Sequence, residues 1–226
     1  THHYLGKFLL VLSYVNPSEV SRRYNRYETT QRKSRTERHP DDCPTKLLSK
    51  IGTHQFSVAA SMFSIHFYCN QLANLEQLFM NVRQAMRYNG IYLVTCLDGD
   101  IVYDKLKTVS NLQGRVGGET AWEIRRGAMW KDIGVSLPCD ASSLNLPIDV
   151  MVHSIGKKYN TESLVSPTFL IRKASEFGLR LAGDDLVRRH WKFLEHGTGN
   201  FGEIYERYVP KGIFATLWDR ENKELY

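Results

Sequence analysis

Apolar positions in this chain follow two rhythms. Phe8–Ser13 (Phe-Leu-Leu-Val-Leu-Ser) is an unbroken apolar run between Gly6 and Asn16-Pro17, which predicts a buried strand. Phe56–Ser61 and Ile91–Cys96 predict two more. Between those two, Leu72, Leu75, Phe79, Val82 and Met86 recur at three- and four-residue steps. That spacing predicts a helix whose apolar stripe is core, with Asn89-Gly90 as its stop. Ser18 is placed to cap an earlier helix through Val20, Tyr24 and Tyr27. Asp41-Asp42-Cys43-Pro44 reads as a turn and Leu97-Asp98-Gly99-Asp100 as a polar loop. Alternating strands and helices imply a parallel α/β sheet. Ligands of such sheets bind beyond the carboxyl ends of the strands, and His66, Asp98 and the Asn16 region fall on that rim.

After about residue 110 the rhythm changes. Gly114, Gly117 and Gly118 predict a flexible loop. Val150–Ile155 and Ile213–Leu217 read as strands, with a helix near 165–178 between them. This half is expected to form the antiparallel edge of the same sheet and a cover over its site. No internal repeat is evident.

The 226 residues suit one domain, and 42% hydrophobic with 24% charged residues is ordinary for a globular chain. The formal charge of +6 favours a polyanionic partner. Positive residues concentrate at Arg22, Arg23, Arg26, Arg32, Lys33, Arg35 and Arg38. They are either a solvated helix face and loop or a track for RNA phosphates, with Arg22, Arg26, Arg32 and Lys33 as the candidates. Cys43, Cys69, Cys96 and Cys139 form no Cys-x-x-Cys pair, which argues against metal and disulfide frameworks. No apolar run approaches the roughly 20 residues of a membrane span. The start lacks the basic segment and cleavage site of a signal peptide.

Residues 58–67, Val-Ala-Ala-Ser-Met-Phe-Ser-Ile-His-Phe, begin as a strand and end on a histidine and an aromatic ring. That pair of groups can grip a flat, polar heterocycle. The chain shows no Ser-His-Asp order, metal cluster or carboxylate dyad, so it offers binding groups rather than acid, base or nucleophile. Taken singly these residues are ordinary. A histidine after an apolar strand is usually structural, and a helix-borne glutamate such as Glu162 is usually exposed. Asn16 and Asp42 are turn residues by default. His153, His190 and His196 have no partner pattern and read as surface.

The pattern as a whole resembles the RNA cap guanine-N7 methyltransferases. Their Gln-Phe-x-x-His-Tyr signature stands here as Met62-Phe63-Ser64-Ile65-His66-Phe67. Asn81-Val82 and Tyr88-Asn89-Gly90-Ile91-Tyr92 follow as the family's Asn-x-(10–12)-Gly-Gly-x-Phe stretch does. Leu97-Asp98-Gly99-Asp100 is similar to the large-DNA-virus branch, poxvirus and African swine fever virus capping enzymes among them. Gly156-Lys157-Lys158-Tyr159 and Glu162-Ser163-Leu164-Val165 resemble the Gly-x-x-Tyr and Glu-x-Leu-Val blocks.

The resemblance implies a class I, Rossmann-like methyltransferase domain over 1–226, with a cofactor half at 8–110 and a cap-binding cover at 111–226. His66, Phe67, Tyr159, Glu162 and Tyr226 would bind the cap, with Tyr205 and Tyr208 as alternatives to Tyr226. Asn16, Asp42 and Met62 would hold S-adenosylmethionine. Asn16 replaces an acidic residue and Met62 a glutamine. The family's glycine-rich strand should precede Phe8, and Thr1–Lys7 do not match it, so residues upstream are expected to supply it. Guanine N7 carries a free lone pair, so no general base is needed; alignment of the reacting atoms supplies the acceleration. The implied partners are GpppRNA, triphosphatase and guanylyltransferase domains of the same polypeptide, and a stimulatory subunit. The implied location is cytoplasmic, in a viral factory or virion, or nuclear for a cellular protein. Two rival readings remain: a methyltransferase with another substrate, and an inactive RNA-binding module.

Overall fold

The computed structural model describes residues 7–14, 54–116, 118–131, 133–190 and 196–200. Asn16, Arg22, Arg26, Arg32, Lys33, Asp42, Tyr205, Tyr208 and Tyr226 lie outside them, as do the Ser18 helix, the 41–44 turn and the Ile213–Leu217 strand.

The three apolar runs become β1 (Lys7–Tyr14), β2 (Phe56–Met62) and β3 (Met86–Leu97). Helix α1 (Leu72–Ala85) buries Leu75, Phe79, Met80 and Val82. It stops earlier than predicted. Met86 is already extended, and β3 starts there. Phe56 opposes Met86, yet Val58 opposes Ile91, so residues 87–90 bulge out of the pairing. Asn89 takes a left-handed φ of 59° inside that bulge. A Cβ on Gly90 would come 2.8 Å from the Arg87 carbonyl oxygen. Helix stops and bulges ask for the same residues, which is why the sequence reading chose the wrong one.

The first sheet has the order β2-β3-β1-β8, with β8 at Leu179–Leu181, and β9 (Thr198–Asn200) also pairs β1. Only β2 and β3 run parallel; β1 is antiparallel to β3, β8 and β9. The first strand, expected among the parallel strands, is therefore corrected to an antiparallel one, and the sheet is mixed. A run apolar on both faces records burial, not strand direction. Helix α1 and helix α3 (Pro167–Ser175) cover one face, where Leu75, Phe79, Phe169 and Leu170 meet Tyr92, Val94 and Cys96 of β3. Ser166 caps α3 by accepting from the Phe169 N–H at 3.3 Å.

The second half differs more from expectation. Leu97-Asp98-Gly99-Asp100 is a helix start, not a loop. Asp98 accepts from the N–H groups of Asp100 and Ile101 at 3.0 and 3.2 Å and caps α2 (Gly99–Thr108). Strands β4 (Asn111–Val116), β5 (Glu119–Arg126), β6 (Pro147–Val152) and β7 (Gly156–Ser163) form their own antiparallel sheet. They are not the edge of the first. The predicted flexible loop is a hairpin: Gly114 lies in β4 beneath Trp122, where a Cβ would come 2.2 Å from the indole nitrogen. Helix α4 (Asp184–His190) follows β8. Val102, Tyr103 and Leu106 of α2 and Ile124, Ile148 and Val150 of the second sheet make a second core. The short 3-10 turn Ile65–Phe67 touches β7, so the two halves meet at that turn.

Candidate functional site

The site begins where β2 ends. Phe63 takes a φ of 47°, a left-handed conformation that costs a non-glycine residue about 1–3 kcal/mol. Two hydrogen bonds hold it there. Its N–H donates to the Thr95 carbonyl at 2.9 Å and to the Thr95 hydroxyl at 3.0 Å. The chain then turns away from the strand into Ile65–Phe67. Ile65 is fully buried and anchors that turn. His66 follows, only 8% exposed, and Phe67 stands 65% exposed beside it. Their ring centroids are 4.1 Å apart, with the planes tilted by 53°. His66 thus sits on a turn beyond the strand, not on the strand itself.

Glu162 is on β7, not on a helix. It pairs across to Ile148, whose side chain lies in the second core, so Glu162 shares the inward face. This brings its Oε2 to 3.5 Å from His66 Nδ1. That distance is longer than a normal hydrogen bond. Burial pushes the Glu162 carboxyl up to about 7. Burial likewise pushes His66 below its ordinary value. Both shifts favour the neutral forms, so the pair is not a committed ion pair. His66 Nε2 is buried and has no hydrogen-bond partner among the described residues. One buried nitrogen, His66 Nε2, therefore keeps hydrogen-bonding capacity unused among the described residues, beside the mostly buried Glu162 carboxyl and an exposed aromatic ring. A planar ligand with donors on one edge would satisfy the nitrogen and the carboxyl.

Other expected site residues are distributed unevenly. Tyr159 is on the opposite face of the second sheet. Its ring lies 3.7 Å from the Arg125 guanidinium, which is itself 3.4 Å from Asp149. A hydrogen bond with Glu123 raises the Tyr159 hydroxyl pKa. The structure therefore does not bring Tyr159 to the His66–Glu162 pair. Met62 is 57% exposed at the carboxyl end of β2, and its sulfur accepts from the Thr95 hydroxyl at 3.8 Å. Asp98 is occupied as a cap. His196 is exposed and sits 3.1 Å from Asp184. Among the described residues no cluster of His, Cys, Asp and Glu could hold a metal, and no helix is long and apolar enough to cross a membrane.

The sequence reading missed Thr95 and Phe63. A threonine amid an apolar strand was the available signal, since its hydroxyl must find a partner when buried.

No known family profile matches the chain. It is 22% identical over 176 residues to a protein described as a probable mRNA-capping enzyme of Acanthamoeba polyphaga mimivirus. The match covers 76% of this chain but only 14% of that protein. The chain thus spans a small part of the length of its relative.

Proposed function

We propose that the chain is the guanine-N7 methyltransferase part of an mRNA-capping enzyme, acting on the cap of GpppRNA. The distant similarity to the mimivirus protein supports a role in capping. The observation that carries the finer reading is the His66–Glu162 pair, a partly shielded carboxyl 3.5 Å from a buried histidine whose Nε2 has no hydrogen-bond partner among the described residues. Guanine has two donors on one edge, N1–H and the 2-amino group. One carboxylate accepts both, and the bonds are charge-assisted. His66 Nε2 can meet a further polar atom of the base, and Phe67 offers a face on which the ring stacks.

S-adenosylmethionine, when bound, supplies an electrophilic methyl group carried on a positively charged sulfur. Of its expected contacts, Met62 is described. An exposed thioether at the end of β2 gives it apolar contact without a charge, which fits a positively charged donor that must lose that charge. Asn16 and Asp42 are assigned to the same molecule by resemblance alone. The residues do not take a proton from N7. They bind the base, hold its edge and exclude water, so that its lone pair meets the methyl group in line.

In this reading Arg22, Arg26, Arg32 and Lys33 follow the RNA phosphates, and the polypeptide carries further capping domains. A viral relative fits action in a cytoplasmic viral factory. The test uses the natural full-length polypeptide with labelled S-adenosylmethionine and GpppRNA. Label recovered on guanine N7 is the expected result. Label on another atom, or none, removes the proposal.

A further inference from the structure

The same pair has a consequence for ligand charge, and the argument rests on the proposed function. Methyl transfer breaks the carbon–sulfur bond and forms the N7–carbon bond. No proton is lost, so a positive charge moves onto the purine ring. The ring's N1–H and 2-amino groups become stronger donors. We infer that the pocket reads this charge: Glu162 holds the cationic N7-methylated base more tightly than the neutral base, and so stabilises the charge as it builds during transfer.

Three observations carry the inference. Glu162 is mostly buried, and among the described residues its one ion-pair neighbour is His66, at 3.5 Å. A carboxylate shielded from water acts strongly on a charge placed against it. Burial keeps His66 neutral near pH 7, so the histidine does not repel a cationic ring. The charged groups of the neighbouring strands, Arg125 and Asp149, satisfy each other on the far face of that sheet. Among the described residues, the inward face of β7 thus offers the base one acid without a cationic partner, Glu162. Glu162 then acts in catalysis as well as recognition, because its interaction is stronger late in the reaction than at its start.

The burial-raised carboxyl sets the pH window. Glu162 is ionised above about 7 and protonated below it. The preference for the methylated base should therefore be present near pH 7.5 and fade toward pH 5.5.

The test is equilibrium binding of GpppG and N7-methylated GpppG to the full-length polypeptide, without methyl donor. At about pH 7.5 the methylated cap should bind about tenfold tighter, the order expected for a shielded charge pair. The preference should fall toward unity at about pH 5.5. It should also be lost in Glu162→Gln, which keeps the acceptor oxygen and removes the charge. The wild-type pH series stands without the variant should Glu162→Gln fold poorly. Equal affinity for the two caps, or a preference that survives in Glu162→Gln, overturns the inference and leaves the proposed function standing. Binding of neither cap overturns both.

Discussion

Two sites among the described residues, each with a partly buried carboxylate beside a basic side chain, are built differently. Between α1 and α3, Lys173 Nζ lies 3.1 Å from Glu76 and 3.0 Å from Glu176. Both contacts have hydrogen-bond length, and the cluster is complete within the protein. At the seam between the two sheets, His66 and Glu162 stop at 3.5 Å, both groups are pushed toward neutrality, and Nε2 has no hydrogen-bond partner among the described residues. The first arrangement ties two helices together. The second leaves a desolvation cost unrelieved, and such a cost is tolerated where a ligand removes it.

The largest effect that could break this contrast is on activity. Glu162→Ala and His66→Ala should each lower cap methylation by about a hundredfold or more, comparable to losing a preorganised hydrogen-bonding group. S-adenosylmethionine binding should stay nearly intact, as measured by calorimetry. Donor binding lost in proportion to activity would put the pocket elsewhere. Lys173→Met should do the opposite. It leaves Glu76 and Glu176 without their cation and should lower unfolding stability by about 2 kcal/mol, with cap binding unchanged.

The next effect is on pH dependence. The folded carboxyl of Glu162 is raised above its unfolded value, to about 7. The folded state then holds its proton more tightly than the unfolded state. Stability should fall as pH rises from about 4.5 to about 7, by about 1–3 kcal/mol. Denaturant melts should show that slope in the wild type and a flatter one in Glu162→Gln. Equal slopes would mean the seam is wetter than its geometry indicates.

Smaller effects separate the two faces of the second sheet. Phe67→Ala should weaken cap binding by about 1–3 kcal/mol, the range for one stacking ring, and cost little stability because the ring is exposed. Tyr159→Phe should leave cap affinity within about twofold, since its ring is engaged by Arg125 on the far face. A large loss there would restore Tyr159 to the cap site, as the family resemblance implies.

Much of the first half was legible in the sequence because burial writes itself as period. The stripe Leu75, Phe79, Val82 and the buried run of β3 came through, with β3 extended back to Met86; β2 formed where expected but is mostly exposed rather than buried, because it stands at the end of the strand order. What failed was information that periodicity does not hold. The direction of β1 cannot be read from a run apolar on both faces. Asn89-Gly90 carried a bulge rather than a stop, and Asp98 began a helix because its carboxylate found two N–H groups. At the site, His66 and Glu162 were legible as a pair only through motif order. Their approach depends on the turn forced at Phe63 by Thr95 and on the register that sets Glu162 opposite Ile148. The same register turned Tyr159 away, which no motif could reveal.

The central claim is that His66 and Glu162 are an unfinished pair completed by the cap guanine. Carbon-13 NMR of the Glu162 carboxyl, titrated with and without GpppG, tests it most directly. The free protein should titrate near the burial-raised value of about 7. Saturating GpppG should hold the carboxylate ionised and move its midpoint down by about one unit or more, as new hydrogen bonds to the charged form require. An unchanged midpoint with GpppG bound would contradict the account, because the base would then sit elsewhere.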